Sequence, residues 1–355
     1  MINVTKTFFP PIEEYTKQLE RIWKNQWLTN RGALVQELEK KLKEYIGVNN
    51  LTLTTNGTLP IQIAIKAMGL SGEVITTPFS YVATTSAIVW ENCTPVFVDI
   101  DPEYLTIDES KIEAAITDKT SAILATHVFG NPCNVEVIAQ IAKKHNLKVI
   151  YDAAHCFGVE YKGQSIFNYG DISTCSFHAT KIFHTGEGGC WITNNEELQQ
   201  KMQYMHNFGH NGPEDFHGVG INAKMSELQA AMGLAVFPHM DKIVSNRKEA
   251  VELYEEKLKK ADVEFLKLRE GTEWNFHYFP VIFKNENTLL KVKENLNSLD
   301  IYPRRYFYPS LNNLKYVEYQ NMELSEDICS RVLCLPLFAG ITSDQIEQVA
   351  RIING

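Results

Sequence analysis

The 355 residues contain no run approaching the roughly 18 consecutive apolar residues of a membrane-spanning helix, so the sequence offers no helical membrane segment. The first residues, Met1-Ile2-Asn3-Val4-Thr5-Lys6, lack a basic stretch followed by an apolar one, and no secretory leader is expected. Seven cysteines are present, Cys93, Cys133, Cys156, Cys175, Cys190, Cys329 and Cys334, but none forms a CxxC pair or a framework spacing. That pattern predicts reduced thiols and a cytoplasmic protein. No HExxH is found: His178 and His184 have no ligand spacing, and His206 and His210 are separated by Gly209 and followed by Asn211-Gly212-Pro213, a loop texture, so no metal site is expected. The formal net charge of -9 is spread along the chain, which leaves no basic footprint for nucleic acid. Internal repeats and low-complexity linkers are also missing.

What remains is a chain with 44% hydrophobic residues, enough for one large domain and a smaller one, and small-molecule chemistry as the natural expectation. Short β-branched runs alternate with amphipathic helical stretches over most of the first 200 residues, which predicts a parallel α/β sheet. The expected strands are 51–55, 74–77, 96–100, 122–127, 149–152, 174–177 and 190–193, with helices over 59–68, 82–90 and 135–145. Beyond about residue 235 the texture changes to a long charged helix over 241–260, an aromatic-rich strand over 274–283 and a terminal helix over 343–353. The expected division is therefore a large domain over 1–237, its N-terminal segment free to pack with the small domain, and a small domain over 238–355.

Lys181 lies in Ser176-Phe177-His178-Ala179-Thr180-Lys181, ahead of Gly186-Glu187-Gly188-Gly189. A lysine held in such a strand-to-loop segment can bind an aldehyde cofactor such as pyridoxal phosphate as a Schiff base. It must then be neutral part of the time, which a desolvated or cationic pocket achieves. Asp152 closes the apolar run 147–151, where a buried carboxylate needs a cationic partner. A protonated pyridine nitrogen supplies one, and so would a salt bridge or a helix cap. Asn56-Gly57-Thr58 ends a strand and opens a helix, a phosphate site through free N–H groups and the helix dipole, or an ordinary capped turn. Tyr81, soon after Pro78, suits stacking on a cofactor ring or plain packing. His155 suits a hydrogen bond to the cofactor's phenolic oxygen or a satisfied core position, and the Ser176 hydroxyl suits the phosphate. His178 and the stretch from Trp27 to Gly32 are candidate substrate contacts. So are Arg304, Arg305, Tyr306 and Tyr308, where arginines beside aromatics match a diphosphate and a base or sugar, or make a solvated basic turn.

These segments together resemble the DegT/DnrJ/EryC1/StrS family of sugar aminotransferases. The likeness extends from about Trp27 to Arg351 and is most specific at Asp152-Ala153-Ala154-His155, Gly170-Asp171 and the Lys181 motif with its glycine-rich turn. The resemblance implies the aspartate aminotransferase fold, type I, with a mostly parallel seven-stranded sheet in the large domain. It implies that Lys181 carries pyridoxal 5'-phosphate, that Asp152 partners the pyridinium, that Tyr81 stacks on the ring, and that Gly57, Thr58 and Ser176 cradle the phosphate. Pyridoxamine 5'-phosphate is then the form between two half-reactions. His155 stands where many relatives carry glutamine. The segment from Gly220 to Ala231 is similar to G-x-N-x-R-M-S-E-L-Q-A-A, which implies a homodimer with Asn222 reaching the neighbouring subunit's phosphate. Lys224 departs from the usual arginine there, so a bidentate contact from that position is not carried over. The implied reaction moves the amino group of L-glutamate to a nucleotide-linked ketosugar. Phe-His-Ala-Thr-Lys is more similar to the 4-keto-6-deoxyhexose branch than to the 3-keto branch, where Phe-Tyr-Pro-Gly-Lys is typical. dTDP-4-keto-6-deoxy-D-glucose, for cell-surface polysaccharide such as O-antigen, is the leading expectation. Amination at carbon 3, a UDP- or GDP-linked acceptor, and a pyridoxal-phosphate sugar dehydratase stay open. The lysine at 181 favours transamination, since the family's dehydratases carry histidine there. A fold kept only for binding or regulation would need a lost lysine or an added DNA-binding domain, and neither feature appears.

Overall fold

Seven short strands form the central sheet in a computed structural model that describes residues 1–355. They are β1 (Leu51–Thr54), β2 (Glu73–Thr76), β3 (Thr94–Phe97), β4 (Thr120–Thr126), β5 (Lys148–Asp152), β6 (Ile172–Ser176) and β7 (Gly189–Ile192), in the spatial order β1-β7-β6-β5-β4-β2-β3. β7 runs antiparallel to β1 and β6, and every other neighbouring pair is parallel. All four residues of β1 and of β7 are buried, and the parallel strands are nearly as enclosed, because helices cover both faces. This is why the strands read as continuous apolar or β-branched runs.

The helices follow from their spacing and their ends. Helix α1 spans Ile12–Asn25 and α2 spans Ala33–Ile46; α2 buries Leu34, Val35, Leu38, Leu42 and Ile46, one face at a 3.6-residue period. Helix α3 (Leu59–Ala67) carries a proline in its first turn, where no intrahelical N–H is lost, and α4 (Val82–Trp90) begins after Tyr81 in extended conformation. The helix over Val135–His145 is capped by the Asn134 side chain, which accepts from the Val137 amide, and it ends at Asn146 in the left-handed region.

A second core lies beyond it. A three-stranded antiparallel sheet of Val263–Phe265, Phe279–Phe283 and Val332–Leu335 is covered by the helices Met240–Leu258, Glu286–Ser298 and Ser343–Asn354. Val281, Phe283, Leu289, Leu296, Leu333 and Val349 fill it, joined by Ile2 and Ile301, because the strand Ile2–Asn3 pairs with Ile301–Tyr302. The helix Met240–Leu258 bridges the two cores: Met240 and Ile243 pack in the first, Ala250, Val251 and Tyr254 in the second.

Most expected strands fall within a residue or two of the observed ones. The stretch 274–283 differs. Only Phe279–Phe283 is regular strand; before it, Phe276 has φ 55°, and the Arg247 guanidinium donates to the carbonyls of Phe276 (3.4 Å) and His277 (3.0 Å). Those carbonyls are thus turned to a buried cation instead of a ladder partner. The sheet's carboxyl edge gathers the segments after β1, β2, β4, β5 and β6, where ligands of such sheets collect.

Candidate active site

A pocket of about 220 Å³ opens at that edge, floored by the large sheet and walled on one side by Tyr278, Arg304, Tyr306 and Phe307. Lys181 reaches it from the β6–β7 connection. That connection is fixed by its own backbone: Phe177 N–H donates to Gly188 O (2.8 Å), Ala179 to Gly186 (2.7 Å), Lys181 to His178 (2.8 Å) and Thr185 back to Phe177 (2.9 Å). Gly189 lets β7 enter the sheet, since a Cβ there would lie 2.5 Å from Asn56 O and 2.7 Å from Cys175 O. The Lys181 ammonium sits over the Tyr278 ring, 5.8 Å from its centroid. Burial pushes its pKa down to about 8, against the opposing pull of Asp152.

Asp152, 6% exposed at the end of β5, is held on both oxygens: Thr84 Oγ1 donates to Oδ2 at 2.6 Å and the Ala154 amide to Oδ1 at 3.1 Å. His155 is buried, and its Nδ1 accepts from the Phe129 amide at 3.1 Å, which assigns the ring proton to Nε2. Burial, and then the Lys181 charge, hold this imidazole well below its ordinary pKa, so it is neutral. Its ring stacks on Phe307, centroids 5.7 Å apart and 3° between planes.

The phosphate candidates converge. A Cβ on Gly57 would stand 2.7 Å from Ser176 Cβ and 2.9 Å from Ser176 Cα, so only glycine lets the β1 and β6 ends approach this closely. Asn56 Oδ1 accepts from the amides of Thr58 and Leu59, both at 2.9 Å, which satisfies the start of α3 from the preceding turn. The Gly57 amide and the Thr58 hydroxyl have no protein partner, while the Ser176 hydroxyl, which accepts weakly from the His178 amide at 3.4 Å, keeps its proton free. Three donors therefore face one notch, an anion cradle. The cradle, an amine of lowered pKa, a fixed carboxylate and a neutral imidazole donor in one pocket fit pyridoxal phosphate. Tyr81, half exposed, borders the same pocket.

The pocket brings together Gly57, Thr58, Tyr81, Asp152, His155, Ser176, His178, Lys181 and Tyr306. His178 Nδ1 accepts from the Thr180 amide (3.2 Å), leaving Nε2 to face Glu187 Oε1 at 3.5 Å. Four expected residues lie elsewhere. Arg305 does not line the pocket: it donates to Glu286 Oε1 at 2.5 Å and Ser330 O at 2.7 Å, and lies over Tyr308. Arg304 takes the lining place, its guanidinium over the Tyr306 ring at 4.6 Å with no carboxylate partner. Tyr308 and Trp27, both 52% exposed, lie outside it. Asn222 is exposed and outside its own chain's pocket. Thr84, Tyr278 and Glu187 were not singled out from sequence. Thr84 is a threonine in the first turn of α4 with no local signal, Tyr278 falls in the stretch whose texture predicts a strand, and Glu187 falls in the glycine-rich turn.

Fold and site together define a pyridoxal-phosphate-dependent aminotransferase. The model of the DegT/DnrJ/EryC1/StrS aminotransferase family matches residues 11–354, and the chain belongs to that family. It is 43% identical over 360 residues to a dTDP-4-amino-4,6-dideoxy-D-glucose transaminase of Shigella dysenteriae, covering 99% of this chain and 98% of the relative. It is 33% identical over 336 residues to a GDP-perosamine synthase of Escherichia coli O157:H7, covering 92% and 91%. Among solved structures, DesI in the presence of its TDP-sugar product superposes with a TM-score of 0.95 at 32% identity, covering 99% of this chain and 92% of that one. No helix is long and apolar enough to cross a membrane.

Proposed function

We propose that the protein moves the amino group of L-glutamate to carbon 4 of dTDP-4-keto-6-deoxy-D-glucose, giving dTDP-4-amino-4,6-dideoxyglucose. The single observation behind amino transfer is the Lys181 amine, desolvated and opposite the fixed Asp152 carboxylate in one pocket. The choice of sugar and nucleotide is supported by two full-length relatives at 43% and 37% identity that share one name.

When bound, pyridoxal phosphate supplies a carbon that accepts amines and a ring that accepts electrons. Lys181 would hold it, with Gly57, Thr58 and Ser176 at the phosphate, Asp152 at the ring nitrogen, His155 Nε2–H at the phenolic oxygen and Tyr81 beside the ring. Near neutral pH an amine at about 8 is partly unprotonated, so Lys181 would hold the cofactor as a nucleophile and, when free, would take a substrate proton and return it. Glutamate and the ketosugar would occupy the same site in turn, the first leaving the amino group that the second takes up, which predicts ping-pong kinetics. Arg304, the lining cation without a carboxylate partner, is suited to the anionic part of either substrate.

A homodimer completes this reading, with Asn222 reaching the partner's phosphate. It is supported by the exposed apolar side chains Phe208, Phe216, Val219 and Ile221 beside Asn222. Lys224, at the position usually held by arginine, lies over the Phe208 ring at 4.6 Å. We place the enzyme in the cytoplasm, serving cell-surface polysaccharide synthesis. A panel of 4-keto and 3-keto sugars on dTDP, UDP and GDP, assayed with glutamate, tests the assignment. The dTDP-4-ketosugar should give the highest kcat/KM and an amine at carbon 4; preference for another nucleotide or carbon, or loss of oxygen without gain of nitrogen, contradicts it.

A further inference from the structure

Behind Asp152 lies a row of three buried hydroxyls. Thr84 Oγ1 donates to Asp152 Oδ2 at 2.6 Å; Ser80 Oγ is 2.8 Å from Thr84 Oγ1; Thr126 Oγ1 is 2.9 Å from Ser80 Oγ. All four side chains are nearly enclosed, from 0% exposed at Thr84 to 6% at Asp152. The three hydroxyls come from the β2–α4 loop, the first turn of α4, and the end of β4, where Thr126 pairs with Asp152 in the ladder.

The protons in this row have one consistent order. An ionised carboxylate only accepts, so the Thr84 hydroxyl spends its proton on Asp152. Thr84 Oγ1 must then accept from Ser80, and Ser80 from Thr126. Each bond polarises the next in the same direction, toward the carboxylate. The other Asp152 oxygen takes the Ala154 amide, so the group is fixed in place. Thr85 supplies a contrast one residue away: it is equally buried, yet its hydroxyl has no partner.

We infer that Thr84, with Ser80 and Thr126 behind it, is a positioning residue that holds Asp152 as an oriented carboxylate and so sets how firmly the cofactor's ring nitrogen keeps its proton. This rests on the reading of Asp152 as the ring-nitrogen partner. Loss of the Thr84 hydroxyl leaves a buried carboxylate oxygen short of a donor, makes the carboxylate more basic, and draws the shared proton away from the ring.

The test uses the full-length protein and four variants, Thr84→Val, Thr84→Ser, Thr85→Val and Asp152→Asn. The readouts are the dissociation constant for pyridoxal phosphate and the pH midpoint of its bound absorbance band. Loss of a hydrogen bond to a charged group predicts about tenfold or more weaker binding for Thr84→Val, with a displaced midpoint. Thr84→Ser should restore both, and Thr85→Val should match wild type. Wild-type affinity and midpoint in Thr84→Val, or equal effects in Thr84→Val and Thr85→Val, overturn the inference. If Asp152→Asn itself binds and titrates as wild type, the underlying reading of Asp152 fails instead.

Discussion

The Lys181 amine offers the sharpest quantitative consequence. With a pKa of about 8 in place of its ordinary 10.5, about a quarter of it is neutral at pH 7.5 where an ordinary lysine is about 0.1% neutral. The rate at which cofactor-free enzyme captures pyridoxal phosphate depends on the neutral amine, so this is a gain of roughly 200-fold near neutrality. Stopped-flow absorbance across pH 6.5 to 10 should give a rate that rises to a plateau with a midpoint near 8. Burial is the larger cause and Asp152 opposes it, so Asp152→Asn should move the midpoint lower still. Stability follows the same linkage. Between about 8 and 10.5 the unfolded chain binds this proton and the folded chain does not, so this group's contribution to the cofactor-free enzyme's stability rises with pH over that window. A capture midpoint near 10.5, or one that rises in Asp152→Asn, would refute the reasoning.

Further outcomes are expected. Gly57→Ala places a methyl group 2.7 Å from Ser176 Cβ, an overpacking of about 1 to 3 kcal/mol that parts the two strand ends. An absorbance titration should show about tenfold weaker cofactor binding, and unchanged affinity would dissociate the cradle from the phosphate. Arg304→Gln should raise the KM for the nucleotide sugar about tenfold, the worth of one charge-assisted hydrogen bond. Arg305→Gln, which loses Glu286 and Ser330, should leave KM alone and lower Tm. Mixing Lys181→Ala with Asn222→Ala subunits should regenerate activity that neither variant has alone, because one site of the mixed dimer is intact; no recovery after subunit exchange would place Asn222 outside the partner's site.

The parallel sheet was legible because each strand is a short β-branched run that must be buried on both faces, and each helix a stripe at a 3.6-residue period. Lys181, Asp152, Gly57 and Ser176 were legible for a related reason: they sit at strand ends, where chain order alone assigns them to one edge. The wall of the pocket was harder to read. Arg304 and Arg305 are adjacent, and which one turns inward depends on Glu286 capturing Arg305, a partner outside any local pattern. Trp27 and Tyr308 are aromatics in polar loops, and nothing local distinguishes a pocket face from solvent. Thr84 is 68 residues from Asp152 in sequence and meets it only in the folded chain. Tyr278 was hidden because Arg247, a helix residue, turns the backbone before it out of strand geometry.

The central claim is Lys181-dependent amino transfer, and isotope transfer tests it most directly. Glutamate carrying heavy nitrogen in its amino group would be incubated with dTDP-4-keto-6-deoxy-D-glucose and either the native enzyme or Lys181→Ala, and the nucleotide sugar weighed by mass spectrometry. The native enzyme should deliver the heavy nitrogen to the sugar and release 2-oxoglutarate, and the variant should deliver none. Label in the variant's product at the native rate, or a native product that lacks the label, would contradict the account.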